Sequence, residues 1–252
     1  MPKTYRIALI GFLRYNTDMK QVLGAIRRAD DNFNMINAGD KIAVGLSGGK
    51  DSVLLLYALN KYKQFKRVPF DLIAVTVDLG LGFNTAPLEE LCRQLQIPFY
   101  KIETDIGKII FETRKEKNPC ALCAKMRKGA FYKKCLELNV NKSAYAHHRD
   151  DLIDTFLLSL LYEGRLYAMS PVSYLSRCGI TLIRPFIYLE EKKIISVINS
   201  LDLPVIKNPC PASKMTKREE VKLLSAQLTE RYPEFRERIM SALSNPNHYN
   251  LW

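Results

Sequence analysis

A short glycine-containing loop between an apolar run and a helical segment constrains this chain more than any other feature. Residues 41–46 read KIAVGL, a nearly continuous apolar stretch that is typical of a buried parallel strand. The loop SGGKDS follows at 47–52, and an apolar helix is expected from Val53 to about Tyr62. This order of strand, loop and helix predicts an α/β unit whose ligand lies beyond the carboxyl end of the strand.

The rest of the chain repeats this alternation. We expect strands at 70–78, 97–103, 143–147 and 180–186. We expect helices at 17–37, 86–95, 121–138, 150–162 and 190–201, with a charged helical tail over 214–243. The pattern predicts an α/β fold with a doubly wound parallel sheet, helices on both faces, and helical elements at the N- and C-terminal ends.

The expected division of the chain has three parts. Residues 1–38 form an N-terminal segment and helix, and residues 39–187 form the nucleotide-binding α/β domain with the cysteine-containing helix. Residues 188–252 form a C-terminal helical region that carries Cys210. With 252 residues, the chain is long enough for one large domain with helical additions.

Composition excludes several classes of protein. Hydrophobic residues make up 47% and charged residues 25%, which excludes a disordered chain, and the glycines follow no collagen-like period. No apolar run approaches the roughly 18 residues of a membrane span, and the N-terminus lacks the apolar core of a signal peptide. We therefore expect a cytoplasmic protein without a membrane partner.

The chain is strongly basic. It has 38 Lys and Arg against 26 Asp and Glu, a formal net charge of +12. Such a charge favours polyanionic partners, above all nucleic acid. The excess is concentrated over residues 101–142, around a Cys-x-x-Cys pair. That concentration favours a surface that faces RNA or phosphate over an ordinary solvated helix face.

The loop at 47–52 has the chemistry of a phosphate site. Adjacent glycines let the backbone approach closely, and the following helix offers unpaired N–H groups to phosphate oxygens. It differs from a Walker A loop, which would need Gly in place of Val44 and Ser or Thr in place of Asp51. The residues expected to bind the nucleotide are Ser47, Gly48, Gly49, Lys50, Asp51 and Ser52.

Further polar side chains follow other predicted strands. Asp78 ends the strand at 70–78, and the run HHRDD at 147–151 follows the strand at 143–147. Carboxyl ends of parallel strands meet at one edge of a sheet, so we expect Asp78 and His147 to lie near the nucleotide. Asp151 is a candidate Mg²⁺ ligand or general base, whereas Asp150 fits an ordinary helix N-cap.

Three cysteines form a candidate soft-metal site. Cys120 and Cys123 open a basic helix, and Cys210 lies between two prolines. The helix N-terminus and nearby cations should lower the pKa of the two paired thiols. Spacing alone leaves three options open: structural zinc, a persulfide or disulfide-exchange thiol, and an iron–sulfur cluster held by three cysteines. Zinc would need a fourth ligand from Cys135, Cys178 or His248, while Cys92, Cys135 and Cys178 read more simply as packing residues.

SGGKDS after a strand resembles the PP-loop of the ATP pyrophosphatase superfamily. The chain as a whole resembles the tRNA 2-thiocytidine synthetase (TtcA) family of PP-loop enzymes. The motifs that carry this resemblance are MINAGDKIAVGLSGGKDSVLLL (35–56), CALCAKMRKGAFY (120–132), AHHRDDLIDTFLLSLLYEGRL (146–166), LIRPFIYLEE (182–191) and NPC (208–210). They occur in the order of the family and span about three quarters of the chain.

The resemblance implies a cofactor set and a reaction. Cys120, Cys123 and Cys210 match the three cysteines that hold a [4Fe–4S] cluster in such enzymes. ATP with Mg²⁺ would adenylate the C2 carbonyl oxygen of a pyrimidine in tRNA, a cytidine of the anticodon loop in the family, and sulfur from the cluster would replace that oxygen. The implied donor is sulfide or persulfide derived from a cysteine desulfurase, and the implied assembly is a homodimer.

The resemblance also implies roles for the polar residues. Lys50 and the loop amides would stabilise phosphate charge, and Asp51 and Asp151 would serve Mg²⁺ or proton transfer. Arg127, one turn beyond Cys123, would meet phosphate or the activated base. The base must leave its stack to enter such a pocket.

Other functions compete with thiolation. A ligase of the lysidine-synthetase type needs no cluster, so the three cysteines speak against it. An iron–sulfur desulfidase would not need the intact ATP loop, and a zinc-stabilised RNA-binding module would need no loop at all. The segment after Cys210 reads PASKMTKREE, where the family has a sequence like PCNLCGSQ around its third cysteine. This departure leaves another tRNA base or a small sulfur acceptor open as substrate.

Overall fold

The computed structural model describes residues 3–114, 119–206, 209–211 and 217–245, with side chains from Thr17 onward. The strands are β1 (Lys41–Gly45), β2 (Asp71–Asp78), β3 (Phe99–Glu103), β4 (Lys142–Ala144), β5 (Val172–Leu175) and β6 (Ile180–Ile183). The helices are α1 (Lys3–Phe33), α2 (Lys50–Lys63), α3 (Ala86–Gln94), α4 (Ile106–Lys108), α5 (Pro119–Glu137), α6 (Arg149–Leu158), α7 (Glu191–Leu201), α8 (Lys217–Arg231) and α9 (Phe235–Ser244). Helices α4 and α6 continue into π-helical turns at Ile109–Thr113 and Ser159–Glu163.

The six strands form one sheet in the order β3-β2-β1-β4-β6-β5. Strands β3, β2, β1, β4 and β6 run parallel to one another, which confirms the predicted α/β class. Strand β5 pairs antiparallel with β6 and was missed by the sequence analysis. Its four residues lie at the sheet edge and carry no long apolar run, so the sequence offers only a weak signal for it.

Several predicted boundaries were wrong. The predicted strand at 180–186 ends at Ile183. A turn follows, in which the Ile187 N–H donates a hydrogen bond to Arg184 O. The predicted strand at 143–147 covers only Lys142–Ala144. Helix α1 begins at Lys3 rather than at residue 17, and the C-terminal tail divides into α8 and α9 on either side of Pro233, which cannot continue a helix.

Alternate residues of the central strands face two separate cores. Ile42 and Val44 of β1 pack with α1, α2 and α7 on one face of the sheet. Ala43 of the same strand and Ile73 of β2 pack with α5 on the other face. Covering on both faces explains why these strands read as unbroken apolar runs. The predicted helices on both faces are thereby confirmed.

The topology creates a crevice between β1 and β4. From β1 the chain moves outward through β2 and β3, whereas β4 and β6 lie on the opposite side of β1. In an open parallel sheet, a ligand binds at the carboxyl ends of the strands where the winding reverses. The loop at 47–52 follows β1, and the segment HHRDD follows β4, so both lie at this crevice.

The C-terminal helices are fastened to α6 beside this crevice. The Asp150 carboxylate is paired with Arg236 of α9, and it accepts a hydrogen bond from the Glu191 N–H at 2.8 Å. Burial alone would raise the pKa of Asp150, but the contacts with His148, the Glu191 N–H and Arg236 outweigh it and hold this pKa far below its usual range. The predicted N-cap role of Asp150 was wrong, because His148 is the N-cap of α6.

In the part of the chain that is described, no helix has the length and apolarity to cross a bilayer.

Candidate active site

A cavity of about 600 Å³ lies at the crevice. Its walls come from the nucleotide loop, the carboxyl ends of β1 and β2, helix α5, the segment after β4, and helix α8. Ser47, Gly49, Asp51 and Ser52 line it on the loop side. The structure therefore places the loop at a cavity large enough for a nucleotide.

The loop is folded tightly by its own hydroxyl groups. The Ser47 N–H donates to Ser52 Oγ at 3.1 Å, and the Ser52 hydroxyl donates to Gly49 O at 3.0 Å. Gly48 has φ +82°, a left-handed conformation that favours glycine. Its carbonyl accepts a hydrogen bond from the Ile206 N–H at 2.9 Å, which ties the loop to the segment leading toward Cys210.

Gly48→Ala is expected to abolish productive ATP binding. An added Cβ would lie 2.9 Å from Phe83 Cζ and 3.3 Å from Ile206 Cβ, in a conformation strained for alanine. We expect a destabilisation of about 1–3 kcal/mol and loss of the ATP-induced rise in melting temperature, both read by differential scanning fluorimetry. The matched control is Gly129→Ala in α5, where the new Cβ meets nothing within 4 Å. An ATP response in the Gly48 variant equal to that of the control would contradict the role of this glycine.

Lys50 points toward helix α7 and away from the open cavity. Its ammonium lies 2.9 Å from Glu191 Oε1 and 3.0 Å from Asp51 Oδ2. Burial alone would lower the pKa of Lys50, but the two carboxylates outweigh it and raise this pKa. Glu191 stands in the quoted motif LIRPFIYLEE but was missed by the sequence analysis. A glutamate in the first turn of a helix is common and indicates no particular function.

His148 joins the two candidate magnesium ligands. Its Nε2 lies 3.4 Å from Asp151 Oδ2 and 3.9 Å from Asp51 Oδ1. The Asp151 carboxylate also accepts the His148 N–H at 3.1 Å, which closes the N-terminus of α6. Burial disfavours the charged imidazole, but the three surrounding aspartates outweigh it and raise the pKa of His148. Asp51 and Asp151 are thus brought together at the cavity, and their hard oxygen donors fit Mg²⁺.

Of the other two predicted nucleotide contacts, His147 lines the cavity and Asp78 does not. His147 lines the cavity, and its Nδ1 is buried without a hydrogen-bond partner among the described residues. Burial, followed by the charge of Arg184, lowers the pKa of His147 to about 4. Asp78 does not line the cavity: its carboxylate pairs with Lys101 at 3.1 Å and accepts the Gly80 N–H at 2.9 Å.

The segments that carry the three candidate metal ligands border the cavity. Cys120 is exposed at the start of α5, and Cys123 and Cys210 are half-buried. Arg127 and Pro209, which neighbour these cysteines, both line the cavity. Helix α5 and the segment of Cys210 therefore both reach the cavity that the nucleotide loop lines.

The expected lowering of the Cys123 pKa was wrong. Burial is the largest influence and raises it, the neighbouring Arg127 lowers it in part, and Cys210 and Cys120 raise it further. A thiol with a raised pKa is less reactive as a free thiolate.

The three cysteines offer soft thiolate donors, which suit zinc or an iron–sulfur cluster. Within the described ranges, no three His, Cys, Asp or Glu side chains are grouped closely enough to hold one metal ion.

The remaining cysteines have packing environments. Cys92 and Cys135 are buried, and burial raises the pKa of each to about 12. Cys178 is half-buried and donates to Leu175 O at 3.5 Å. These surroundings fit the packing roles expected for them. His248, considered as a fourth zinc ligand, lies outside the described residues.

Comparison with known proteins decides the family. The model of the PP-loop domain matches residues 19–224. A tRNA-cytidine(32) 2-sulfurtransferase from Pelobacter propionicus is 37% identical over 230 residues, covering 89% of this chain and 86% of the relative. The enzyme of the same name from Syntrophotalea carbinolica is 38% identical over 227 residues, 88% of each chain. The chain belongs to the tRNA 2-sulfurtransferase family of PP-loop proteins.

The family resemblance seen in the motifs is therefore confirmed. Among solved structures, the chain is similar to the U34-tRNA thiolase NcsA from Methanococcus maripaludis with its [4Fe-4S] cluster. The TM-score is 0.77 at 22% identity, covering 94% of this chain and 81% of that one. At this identity the likeness shows that the PP-loop sulfurtransferase chain and the thiolase share a fold.

Proposed function

We propose that this protein is an ATP-dependent tRNA sulfurtransferase that thiolates C2 of a cytidine in the anticodon loop. The observation that carries the proposal is the convergence of the nucleotide loop, the carboxylates Asp51 and Asp151, and the cysteine helix α5 at one cavity. The names of the relatives specify cytidine 32 as their target. A shared cavity suits a reaction in which a base is first activated by ATP and then receives sulfur.

Activation of the base rests on the loop side of the cavity. The loop amides and hydroxyls bind the β- and γ-phosphates of ATP, which leave as pyrophosphate. Lys50, held by Asp51 and Glu191 outside the cavity lining, adds positive charge nearby. Asp51 and Asp151 would hold Mg²⁺, which would offset phosphate charge. The C2 carbonyl oxygen attacks the α-phosphorus, and pyrophosphate is the leaving group. The adenylated oxygen then leaves as AMP, a far better leaving group than oxide or hydroxide.

Sulfur delivery rests on the cysteine side. Cys120, Cys123 and Cys210 would hold the [4Fe–4S] cluster, which would supply iron chemistry for the transfer of sulfur. Arg127 contacts Cys123 and faces the cavity, so its charge lies between the cysteines and the place of the activated base. We propose that it stabilises negative charge as AMP departs.

The partners follow from charge and chemistry. The basic side chains Lys128 and Arg218 at the cavity join Arg127 in a surface that suits an RNA backbone. Sulfide or persulfide from a cysteine desulfurase remains our proposal for the sulfur donor, and a homodimer and a cytoplasmic location remain predictions. A PP-loop ligase would leave the three cysteines without a function, and a desulfidase would leave the ATP loop without one.

A thiolation assay on the anaerobically purified protein tests this function. Undermodified tRNA is incubated with ATP, Mg²⁺ and sulfide, then digested to nucleosides and analysed by mass spectrometry. We expect 2-thiocytidine, with AMP and pyrophosphate released in equal amounts. The control omits ATP. Release of AMP without any thiolated nucleoside, from protein with a full complement of iron, would contradict the proposal.

A further inference from the structure

The cavity contains a buried cation for which the described residues offer no counter-ion. Arg184 follows β6 directly, lines the cavity and is only 9% exposed. No carboxylate among the described residues pairs with it, and the acidic groups that influence its pKa are the hydroxyls of Tyr132, Tyr145 and Tyr167. A guanidinium stays charged even when burial lowers its pKa. Buried charges are normally paired, so Arg184 requires a ligand.

The guanidinium also has unused hydrogen-bond donors. Only Nη1 has described partners, which are the Ser170 carbonyl oxygen and the Ser173 hydroxyl at 3.4 Å. Among the described residues, Nε has no partner although it is buried, and the same holds for Nδ1 of His147, which lines the same cavity. Nε and Nη2 lie along one edge of the planar guanidinium, which matches two neighbouring acceptor atoms on a ligand.

The depth of Arg184 indicates which acceptors it meets. A base that has left its stack enters a pocket ahead of its own backbone, whose phosphates must stay connected to the flanking nucleotides outside. Arg127, Lys128 and Arg218 also line the cavity, and Arg127 and Lys128 are exposed, so they are available to backbone phosphates. Arg184 is much more deeply buried, where the edge of the base arrives.

Resting on the function proposed above, we propose that Arg184 is the residue that selects cytosine as the target base. Cytosine presents two adjacent acceptors, N3 and the O2 carbonyl, whereas uracil carries an N–H at N3. The second lone pair of O2 stays free to attack ATP, because a carbonyl oxygen has two. Donation to N3 also draws electron density from C2, the carbon that sulfur attacks.

Binding of three matched RNAs tests this role. The RNAs are anticodon stem-loops that carry cytidine, uridine or an abasic residue at the target position, bound with a non-hydrolysable ATP analogue. For Arg184→Lys we expect affinity for the cytidine RNA to fall about 10- to 100-fold, with little change for the other two. Lysine keeps the charge but lacks the two-donor edge. Arg177→Lys, exposed in the β5–β6 turn, is the matched control.

Two outcomes would overturn the role of Arg184. Equal losses of affinity for all three RNAs would mean that Arg184 binds a backbone phosphate. Unchanged affinity for the cytidine RNA would mean that Arg184 does not contact the target base. Ser173→Ala distinguishes a purely structural role of Arg184 from contact with the base, because it removes one described partner of Nη1 without altering the cavity lining. We expect this variant to keep the preference for cytidine over uridine. Selective binding by a wild type that forms no thiolated nucleoside would refute the proposed reaction while supporting the role of Arg184.

Discussion

Cys120→Ser is expected to eliminate thiolation and to leave ATP binding intact. The Cys120 thiol is exposed at the start of α5, so its replacement removes a cluster ligand without disturbing the core. A hydroxyl is a poor ligand for iron, so the cluster is lost. Anaerobic preparations should fall from about four irons per chain to well below one, with loss of the broad absorbance near 400 nm. Thiolated nucleoside should drop below detection.

Cys178→Ser is the matched control for this variant. Cys178 donates to Leu175 O across the turn between β5 and β6, and serine can make the same bond. Iron content and thiolation should equal those of the wild type. Full iron and full activity in the Cys120 variant would refute the assignment of this cysteine, and one zinc per chain without iron in the wild type would refute the cluster altogether.

Asp51→Asn is expected to impair activation of the base about 100- to 1,000-fold. The substitution removes a charged oxygen from the pair that we propose holds Mg²⁺ at the cavity, and it weakens the hold on Lys50. The readout is tRNA-dependent pyrophosphate release, measured over a range of Mg²⁺ concentrations. A lost metal ligand should raise the Mg²⁺ concentration needed for half-maximal rate, whereas iron content should stay unchanged.

The same substitution at Asp71 controls for the loss of a charge. Asp71 begins β2, is exposed and pairs with Lys63 at 3.4 Å, far from the cavity lining. We expect Asp71→Asn to leave pyrophosphate release within about twofold of the wild type, since exposed ion pairs contribute little. If the Asp51 variant shows an unchanged dependence on Mg²⁺, Asp51 acts on Lys50 or on a proton and not on the metal.

The parallel core of the fold could be predicted because each strand is buried on both faces. Such strands require long apolar runs, and KIAVGL and the run at 70–78 supply them. Strand β5 could not be predicted, since its four residues lie at the sheet edge and are only half-buried or exposed. The end of β6 was misplaced because 184–186 remain buried beyond the last strand residue, so burial and strand pairing no longer coincide.

The candidate site divides in the same way. Ser47, Asp51 and His147 were expected near the nucleotide, and the structure brings all three to the cavity. Asp78 was expected there too, but it pairs with Lys101, a contact across neighbouring strands that the linear sequence does not reveal. Arg184 was given no role although it stands in the motif LIRPFIYLEE, because only the structure shows that it is buried and has no counter-ion among the described residues.

The amino-acid sequence by itself determined the α/β class, the phosphate loop, the three cysteines and the family of this protein. These features depend on local pattern, and local pattern can be read along the chain. Only the tertiary structure decided which polar groups share the cavity and which are already paired. It also revealed Glu191 beside Lys50, and a buried arginine in the cavity that has no counter-ion among the described residues. Burial and pairing join residues that are distant in sequence, so they exist only once the chain has folded.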